Sequence, residues 1–348
     1  MRPMRVRALA TAVLLTAVAV TAAAQAEWIY AAAGVHYVVV NPGGGDVVHR
    51  GELSVADFRP GESGEAVATP DIVPTPGGRY VFFLFPGADR AIVVDAETHQ
   101  PVWSVSLPAG TRRIVFSSMG TSLWAFTGGS SWIELSHQRG RLTDSGRRAA
   151  SLGDGAVAFN RRATRVYGNR GNDLVFALAA SGEVVQTVAL QGGPYDWQIS
   201  PNFRFLAGTS ARQLVMVDEA RGRAVGTIPG AFAGGVFHPS SREFFALSAD
   251  GSAVLRIDAA RGAERSRIRP PLALAAIFAQ ADGTLHGLAP SASTSTGSTS
   301  GPALVLDLAG NPREVPLPAE LTRGPAADPR GVSAAGVTLR PGGGFACF

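Results

Sequence analysis

A phrase of about forty residues recurs along this 348-residue chain and constrains its fold more than any other feature. Its clearest copies begin at Ser200 and His238, and a third copy begins at Thr75. Each copy holds four short apolar runs separated by turn-forming residues. Because this period and this number of strands are typical of β-propeller blades, the repeat predicts an all-β ring of four-stranded antiparallel blades.

The end of the third apolar run sets the phase of the repeat. In the best copies an Asp stands there and a Gly follows four residues later, so we interpret Asp95, Asp218, Gly222, Asp258 and Gly262 as structural turn residues. The Asp can accept hydrogen bonds from the next amides, and the Gly can adopt the left-handed conformation that reverses the chain. Equivalent positions predict seven blades: His49, Asp95, Ser136, Leu178, Asp218, Asp258 and Asp307.

The two ends of the repeat array predict how the ring closes. The first unit, taken from Val35, lacks an innermost strand, whereas Gly331–Phe348 starts the phrase again without completing it. We therefore expect the C-terminal segment to supply the missing strand to the first blade and so remove two exposed sheet edges. The alternative is that an eighth blade is missing from a longer design.

The first 26 residues have the pattern of a secretory signal peptide. Arg2, Arg5 and Arg7 precede an uncharged apolar run from Ala8 to Ala24, and Ala24-Gln25-Ala26 is a small-x-small cleavage site. The alternative is a membrane anchor, for which the run is short. We expect cleavage after Ala26, no membrane span afterwards, and a single propeller domain over residues 27–348 in the periplasm or outside the cell.

Composition excludes several chemistries. Removing the three signal arginines from a formal charge of +4 leaves +1, and the arginines form no basic stripe, so nucleic-acid binding is not expected. The chain has no Lys, which excludes Schiff-base catalysis and a P-loop. Its one Cys, Cys347, cannot form an intrachain disulfide and has no assigned role. We expect a monomer.

The search for catalytic and metal-binding motifs gives no positive prediction. The six His residues stand apart, without the spacing of a metal site, and no haem-attachment motif is present. Serines and carboxylates likewise lack the arrangement of a nucleophile or an acid–base pair. We therefore predict no cofactor, no metal and no catalytic residue.

One group of polar and aromatic residues precedes successive innermost strands. A ring fold gathers such positions at one rim of the central channel, where acids, arginines and aromatic rings could bind a polar ligand. The predicted ligand-binding residues are Asp71, Arg112, Arg113, Asp154, Tyr195, Asp196 and Trp197. The alternative is a solvated funnel without a specific ligand. A low-complexity insert, Ser291–Gly301, joins the second and third strands of the seventh unit and should open on the same face.

Two short motifs give the chain a family resemblance. Ser200-Pro201-Asn202 and His238-Pro239-Ser240 resemble one turn of the YVTN-type propellers, and Val217-Asp218 and Ile257-Asp258 resemble the other. These propellers belong with the quinoprotein amine dehydrogenase-like seven-bladed group. The resemblance implies a seven-bladed fold and leaves the function open, because the group includes dehydrogenase subunits, lactonases and surface proteins.

The favoured hypothesis is an exported, non-enzymatic propeller that binds a protein, peptide or glycan at one face of the ring. The alternative is an exported enzyme or enzyme subunit, either lactonase-like or quinoprotein dehydrogenase-like. A structural protein of the cell envelope is the third hypothesis.

Overall fold

The chain forms seven four-stranded antiparallel sheets arranged as a β-propeller, which confirms the predicted fold class. The computed structural model describes residues 26–62, 67–86, 88–117, 122–127, 131–138, 141–150, 152, 157–290, 292–293, 299–322 and 332–339. Asp154, Cys347 and all of the predicted signal peptide except Ala26 lie outside these ranges. No helix in the described ranges has the length and apolar character needed to cross a membrane.

Each sheet forms one blade, and its strands are numbered here in chain order. Blade 1 contains β1 (Ala26–Ala33), β2 (His36–Asn41), β3 (Asp46–Glu52) and β30 (Ser333–Leu339). Blade 2 contains β4 (Asp71–Pro74), β5 (Tyr80–Phe85), β6 (Arg90–Asp95) and β7 (Gln100–Ser106). Blade 3 contains β8 (Arg113–Phe116), β9 (Leu123–Phe126), β10 (Ser131–Gln138) and β11 (Arg141–Ala150). Blade 4 contains β12 (Ala158–Phe159), β13 (Arg165–Arg170), β14 (Asp173–Leu178) and β15 (Val184–Val188).

The remaining blades follow the same pattern. Blade 5 contains β16 (Asp196–Ile199), β17 (Phe205–Thr209), β18 (Gln213–Asp218) and β19 (Arg223–Pro229). Blade 6 contains β20 (Phe232–Phe237), β21 (Glu243–Ser248), β22 (Val254–Asp258) and β23 (Ala263–Ile268). Blade 7 contains β24 (Ala276–Ala279), β25 (Leu285–Ala289), β28 (Ala303–Leu306) and β29 (Arg313–Pro316). The insert in blade 7 carries the short pair β26 (Ala292–Ser293) and β27 (Thr299–Ser300), and a 3₁₀ helix spans Ala319–Thr322.

The core lies between the blades rather than within one layer. Every residue of β17 is buried, whereas most of β23, the outermost strand of blade 6, is exposed. Second and third strands are mostly apolar because both of their faces are covered by neighbouring blades. Among the residues that the structure describes, the buried apolar side chains form seven clusters, one at each interface between neighbouring blades. An open row of seven blades would have only six such interfaces, so the ring is closed.

Blade 1 closes the ring as the sequence predicted. β30 pairs antiparallel with β1 from Ala26 opposite Leu339 to Ala32 opposite Ser333, and it takes the innermost place in the sheet. The side chain of Val337 is 1% exposed and packs in the cluster between blades 1 and 2. The first unit begins at Ala26 rather than at Val35, because β1 is the second strand of the blade.

The antiparallel order gives the ring two distinct faces. We call the face at which the innermost strands begin the top face, and the opposite one the bottom face. Connections between second and third strands, including the insert in blade 7, open on the top face. Turns between first and second strands, and between third and fourth strands, lie on the bottom face.

Two of the seven residues that were predicted to end the third strand of a blade are wrong. In blade 1 the turn begins at Asn41, whose carbonyl oxygen accepts a bond from the Gly45 amide at 2.7 Å, and Gly45 is left-handed at φ +78°. His49 lies instead within the outermost strand, β3. In blade 3 the third strand continues past Ser136 to Gln138. Asn41 replaces the usual Asp at the turn, which is why the pattern was missed.

Candidate functional site

A cavity of about 530 Å³ opens on the top face of the ring. Two of the predicted ligand-binding residues, Asp71 and Arg113, line it at the starts of β4 and β8. Its other walls are mostly small and aliphatic: Ile72, Val73, Ile114, Ala275, Ala276, Leu288, Pro290, Val332 and Ala334. Ser333 completes the lining and donates a hydrogen bond to the carbonyl oxygen of Pro70 at 2.6 Å. The cavity therefore combines an apolar lining with a few polar groups, as ligand sites commonly do.

An ion pair positions the arginine of this cavity. Nη1 of Arg113 lies 3.0 Å from Oδ1 of Asp196, and the two side chains are 41% and 50% exposed. The pair joins the innermost strands of blades 3 and 5 and so reaches past blade 4. An exposed pair of this kind contributes at most about 1 kcal/mol to stability, so a ligand anion could replace it. The structure thus brings together three of the predicted residues, Asp71, Arg113 and Asp196.

Tyr195 and Trp197 do not offer the stacking surface that the sequence suggested. Both side chains are 1% exposed, whereas Asp196 between them is exposed. The reason is the two-residue period of a strand, which sends alternate side chains to opposite sides. Trp197 Nε1 donates to Oδ1 of the buried Asn169 at 2.8 Å. Nδ2 of the same Asn169 side chain donates to the carbonyl oxygen of Tyr195 at 2.6 Å. These two rings are therefore part of the contact between blades 4 and 5.

The other two predicted ligand-binding residues are Arg112, which the structure describes, and Asp154, which it does not. Arg112 lies directly before β8, is exposed, and has no acidic partner among the residues described. Its backbone amide donates to the carbonyl oxygen of Phe126 at 2.8 Å. Asp154 lies outside the described residues.

The turn carboxylates have local partners on the bottom face. The Oδ1 atoms of Asp95, Asp218 and Asp258 accept hydrogen bonds from backbone amides two or three residues later, at 2.8, 3.0 and 2.9 Å respectively. Gly222 and Gly262 are left-handed at φ +55° and +61°, and each amide donates to the carbonyl oxygen of the Asp that begins its turn. All three aspartates are buried, with at most 7% of each residue exposed. This geometry gives them a structural role.

Sequence reasoning missed a cluster of rings between blades 1 and 2. Tyr30 Oη lies 2.8 Å from Nδ1 of His99, and Tyr37 Oη lies 3.1 Å from Nε2 of His49. The two imidazole centroids are 5.9 Å apart, and burial lowers the pKa of both His side chains. His99 occupies the left-handed position that Gly222 holds in blade 5, at φ +59°. A His at the turn position where blades 5 and 6 have Gly is the sequence signal that could have pointed to this cluster. No group of three or more His, Cys, Asp or Glu side chains suited to a metal occurs within the described ranges.

Comparison with known proteins finds similarity only to solved structures, and this similarity concerns the fold of the chain. No family model matches the chain, and no curated protein sequence matches it. Among solved structures, the chain is similar to hydrazine synthase from Kuenenia stuttgartiensis, with 15% identity, a TM-score of 0.52, and 68% of this chain and 76% of that one covered.

Two further solved structures are similar over comparable lengths. The β-propeller domain of Cps50 (Swd1) from Myceliophteria thermophila has 10% identity and a TM-score of 0.58, over 72% of this chain and 85% of its own. The dihydro-haem d1 dehydrogenase NirN, solved in complex with DHE, has 14% identity and a TM-score of 0.55, over 83% of this chain and 73% of its own. At such identities the similarity concerns fold, and the fold is a seven-bladed β-propeller.

Proposed function

We propose that this chain is an exported binding protein that recognises a peptide segment of a partner protein in the top-face cavity. The observation that carries the proposal is the cavity itself, where Asp71 and Arg113 lie among mostly aliphatic side chains. Its volume lies within the range of cavities that hold small ligands, about 300 to 1,000 Å³.

The lining favours a peptide over a glycan. The apolar part of the lining suits one or two aliphatic side chains, while the carboxylate of Asp71 and the guanidinium of Arg113 suit groups of opposite charge or main-chain amides. No aromatic ring lines the cavity in the described residues, and stacking on such rings is what a sugar would need. The Arg113–Asp196 pair holds the guanidinium at the rim until a ligand carboxylate competes for it.

Export and family membership are part of the same proposal. The basic start, the apolar run and the Ala24-Gln25-Ala26 site support secretion followed by cleavage. The Asp turns of blades 2, 5 and 6 support membership of the YVTN-type propellers within the seven-bladed group. Release of a processed chain from cells, with Glu27 as its first residue, would test the export step.

The binding step can be tested by selecting peptides from a random display library on the folded protein. We expect Asp71→Asn and Arg113→Gln each to weaken the selected peptides by about tenfold, because each removes one charged contact. Arg223→Gln is the matched control, since Arg223 is an exposed arginine on the outermost strand of blade 5. Tyr195 and Trp197 are unsuitable for this test because they are buried.

Two results would contradict the proposal. One is that peptides selected on the native protein bind the double variant Asp71→Asn/Arg113→Gln with unchanged affinity while its melting curve is also unchanged. The other is that the protein selects no peptide but binds oligosaccharides on a glycan array.

A further inference from the structure

A second concave site lies on the opposite face, between blades 5 and 6. It is a groove of about 490 Å³ built from the turn after β16, the turn after β20 and the third-to-fourth-strand turn of blade 6. Four arginines line it: Arg204, Arg242, Arg261 and Arg265. Asn202 and Ser241 join the two walls, since the Asn202 amide donates to Oγ of Ser241 at 3.0 Å.

Arg204 and Arg242 occupy one position of the repeat, and blade 2 shows what an arginine does there. Each follows a left-handed residue at the end of the first turn, as Arg79 does in blade 2. Nη2 of Arg79 lies 2.7 Å from Oδ2 of Asp95, and Nη1 also bonds Glu97. In blade 2 the arginine is therefore neutralised by the acids of its own blade.

In blades 5 and 6 the corresponding acids are already engaged by other arginines. Asp218 pairs with Arg221 at 3.9 Å. Asp258 pairs with Arg265 at 2.6 Å and with Arg261 at 3.4 Å. The Arg265 guanidinium beside Asp258 holds the pKa of that carboxyl below its usual value, so it stays charged. Arg204 and Arg242 consequently have no acidic partner among the residues that the structure describes, and both are exposed.

The groove also has a rigid wall. Arg265 bonds Glu243 at 3.1 Å in addition to Asp258, and Glu243 bonds Arg256 at 2.8 Å. The lining of the groove thus carries four arginines and one carboxylate, Asp258, which leaves three positive charges spread over both walls. Arg265, whose guanidinium these bonds hold in place, therefore loses less conformational entropy when it also contacts a ligand carboxylate.

We propose that this groove binds an acidic segment of a partner protein, through carboxylates that pair with Arg204 and Arg242. Charges placed on two walls suit a ligand that carries several carboxylates rather than a single small anion. The one aromatic ring in the lining, Phe205, is only 5% exposed, so the groove offers no open face on which an acidic sugar could stack. The site is independent of the top-face cavity and would give the propeller a second partner-binding face.

The test measures binding of a fluorescein-labelled oligoglutamate peptide by anisotropy. We expect saturable binding that weakens as salt is added, because exposed charges are screened. The double variant Arg204→Gln/Arg242→Gln should weaken it by about tenfold or more. The control Arg170→Gln/Arg212→Gln removes two exposed arginines from the top face, where neither has a described acidic partner, and should leave the affinity within about twofold.

Equal affinity of the native protein and the Arg204→Gln/Arg242→Gln variant for oligoglutamate would overturn the proposal. So would an equal loss in the control variant, which would mean that only net charge matters. Labelled heparin is the competing probe. If heparin binds in a way that depends on Arg204 and Arg242 while oligoglutamate does not bind, the groove is a site for anionic glycans and the proposal is wrong.

Discussion

The imidazole of His286 lies on the second strand of blade 7 and is 2% exposed. Its Nδ1 accepts a hydrogen bond from the Asp307 amide at 3.2 Å, so the neutral ring carries its proton on Nε2. That Nε2 atom has no hydrogen-bond partner in the described structure. Burial lowers the pKa of His286 to about 4, and the nearby Asp282 and Asp307 only partly oppose this shift. The protein therefore holds His286 neutral where the unfolded chain would bind a proton.

The pH dependence of stability follows from this difference. The unfolded pKa of about 6.5 lies above the folded value, so the unfolded state binds more protons as pH falls below 6.5. We expect the native protein to lose about 2 kcal/mol of unfolding free energy between pH 7.5 and pH 4.5 through this one group. His286→Asn keeps an acceptor for the Asp307 amide but does not titrate. Urea unfolding at both pH values should show that the variant lacks this loss, and an identical acid loss in both proteins would contradict the prediction.

The ligand-binding residues show how far sequence reasoning reaches at the scale of single residues. Asp71, Arg113 and Asp196 meet at one rim because they precede successive innermost strands, which the repeat reveals. Tyr195 and Trp197 satisfy the same positional rule but are buried. Their burial depends on Asn169, in the preceding blade, and a repeat pattern carries no information about such a contact between blades.

At the scale of elements, the turns between third and fourth strands differ in how many hydrogen bonds and ion pairs their carboxylates make. The carboxylate of Asp218 accepts one backbone hydrogen bond and faces one arginine at 3.9 Å. The carboxylate of Asp258 accepts two backbone hydrogen bonds and is bonded by Arg265 at 2.6 Å. The two turns share their Asp, Arg and Gly in the sequence, and Arg265 lies outside the turn on β23, so the stronger support of Asp258 could not be predicted from the turn motif.

Substitution of the two aspartates should separate these contributions. We expect Asp218→Ala to cost about 1 kcal/mol of unfolding free energy, through one lost hydrogen bond. Asp258→Ala should cost about 2 kcal/mol or more, because it also removes a charge-assisted bond to Arg265. Chemical denaturation of both variants measures the difference. Equal costs would mean that the Arg265 contact adds nothing, and peptide binding at the top face should be unchanged in both variants.

At the scale of the whole molecule, the number of blades and the closure of the ring were predictable from sequence. Spacing fixed the number of units, and the incomplete first unit pointed to β30. The start of blade 1 was missed because β1 begins at Ala26, the last residue of the predicted signal peptide, whereas the first repeat unit was taken from Val35. The charged groove between blades 5 and 6 was also missed, since its four arginines come from two units and four different turns or strands.

Shortening the chain tests the closure. A chain that ends after Val332 lacks β30, exposes the edge of β1 and uncovers Ile29 and Ala31, both 0% exposed in the ring. We expect a loss of the order of 5 kcal/mol, a melting midpoint lower by roughly 10 °C, and aggregation. A chain that ends after Leu339 keeps the strand and serves as the control, with an unchanged midpoint. Equal melting of the two shortened chains would show that β30 is dispensable.

Blade 1 contains both the first and the last described strands, so the ring can close only after both have been made. Oγ of Ser333 lies 3.5 Å from the carbonyl oxygen of Ala32, which is 301 residues earlier in the chain. Contacts between such distant residues form slowly, because the loop that joins them must close first. Because synthesis proceeds from the N-terminus, the inner edge of β1 has no strand to pair with until the other blades have been made. Closure of the ring therefore depends on the docking of one seven-residue strand.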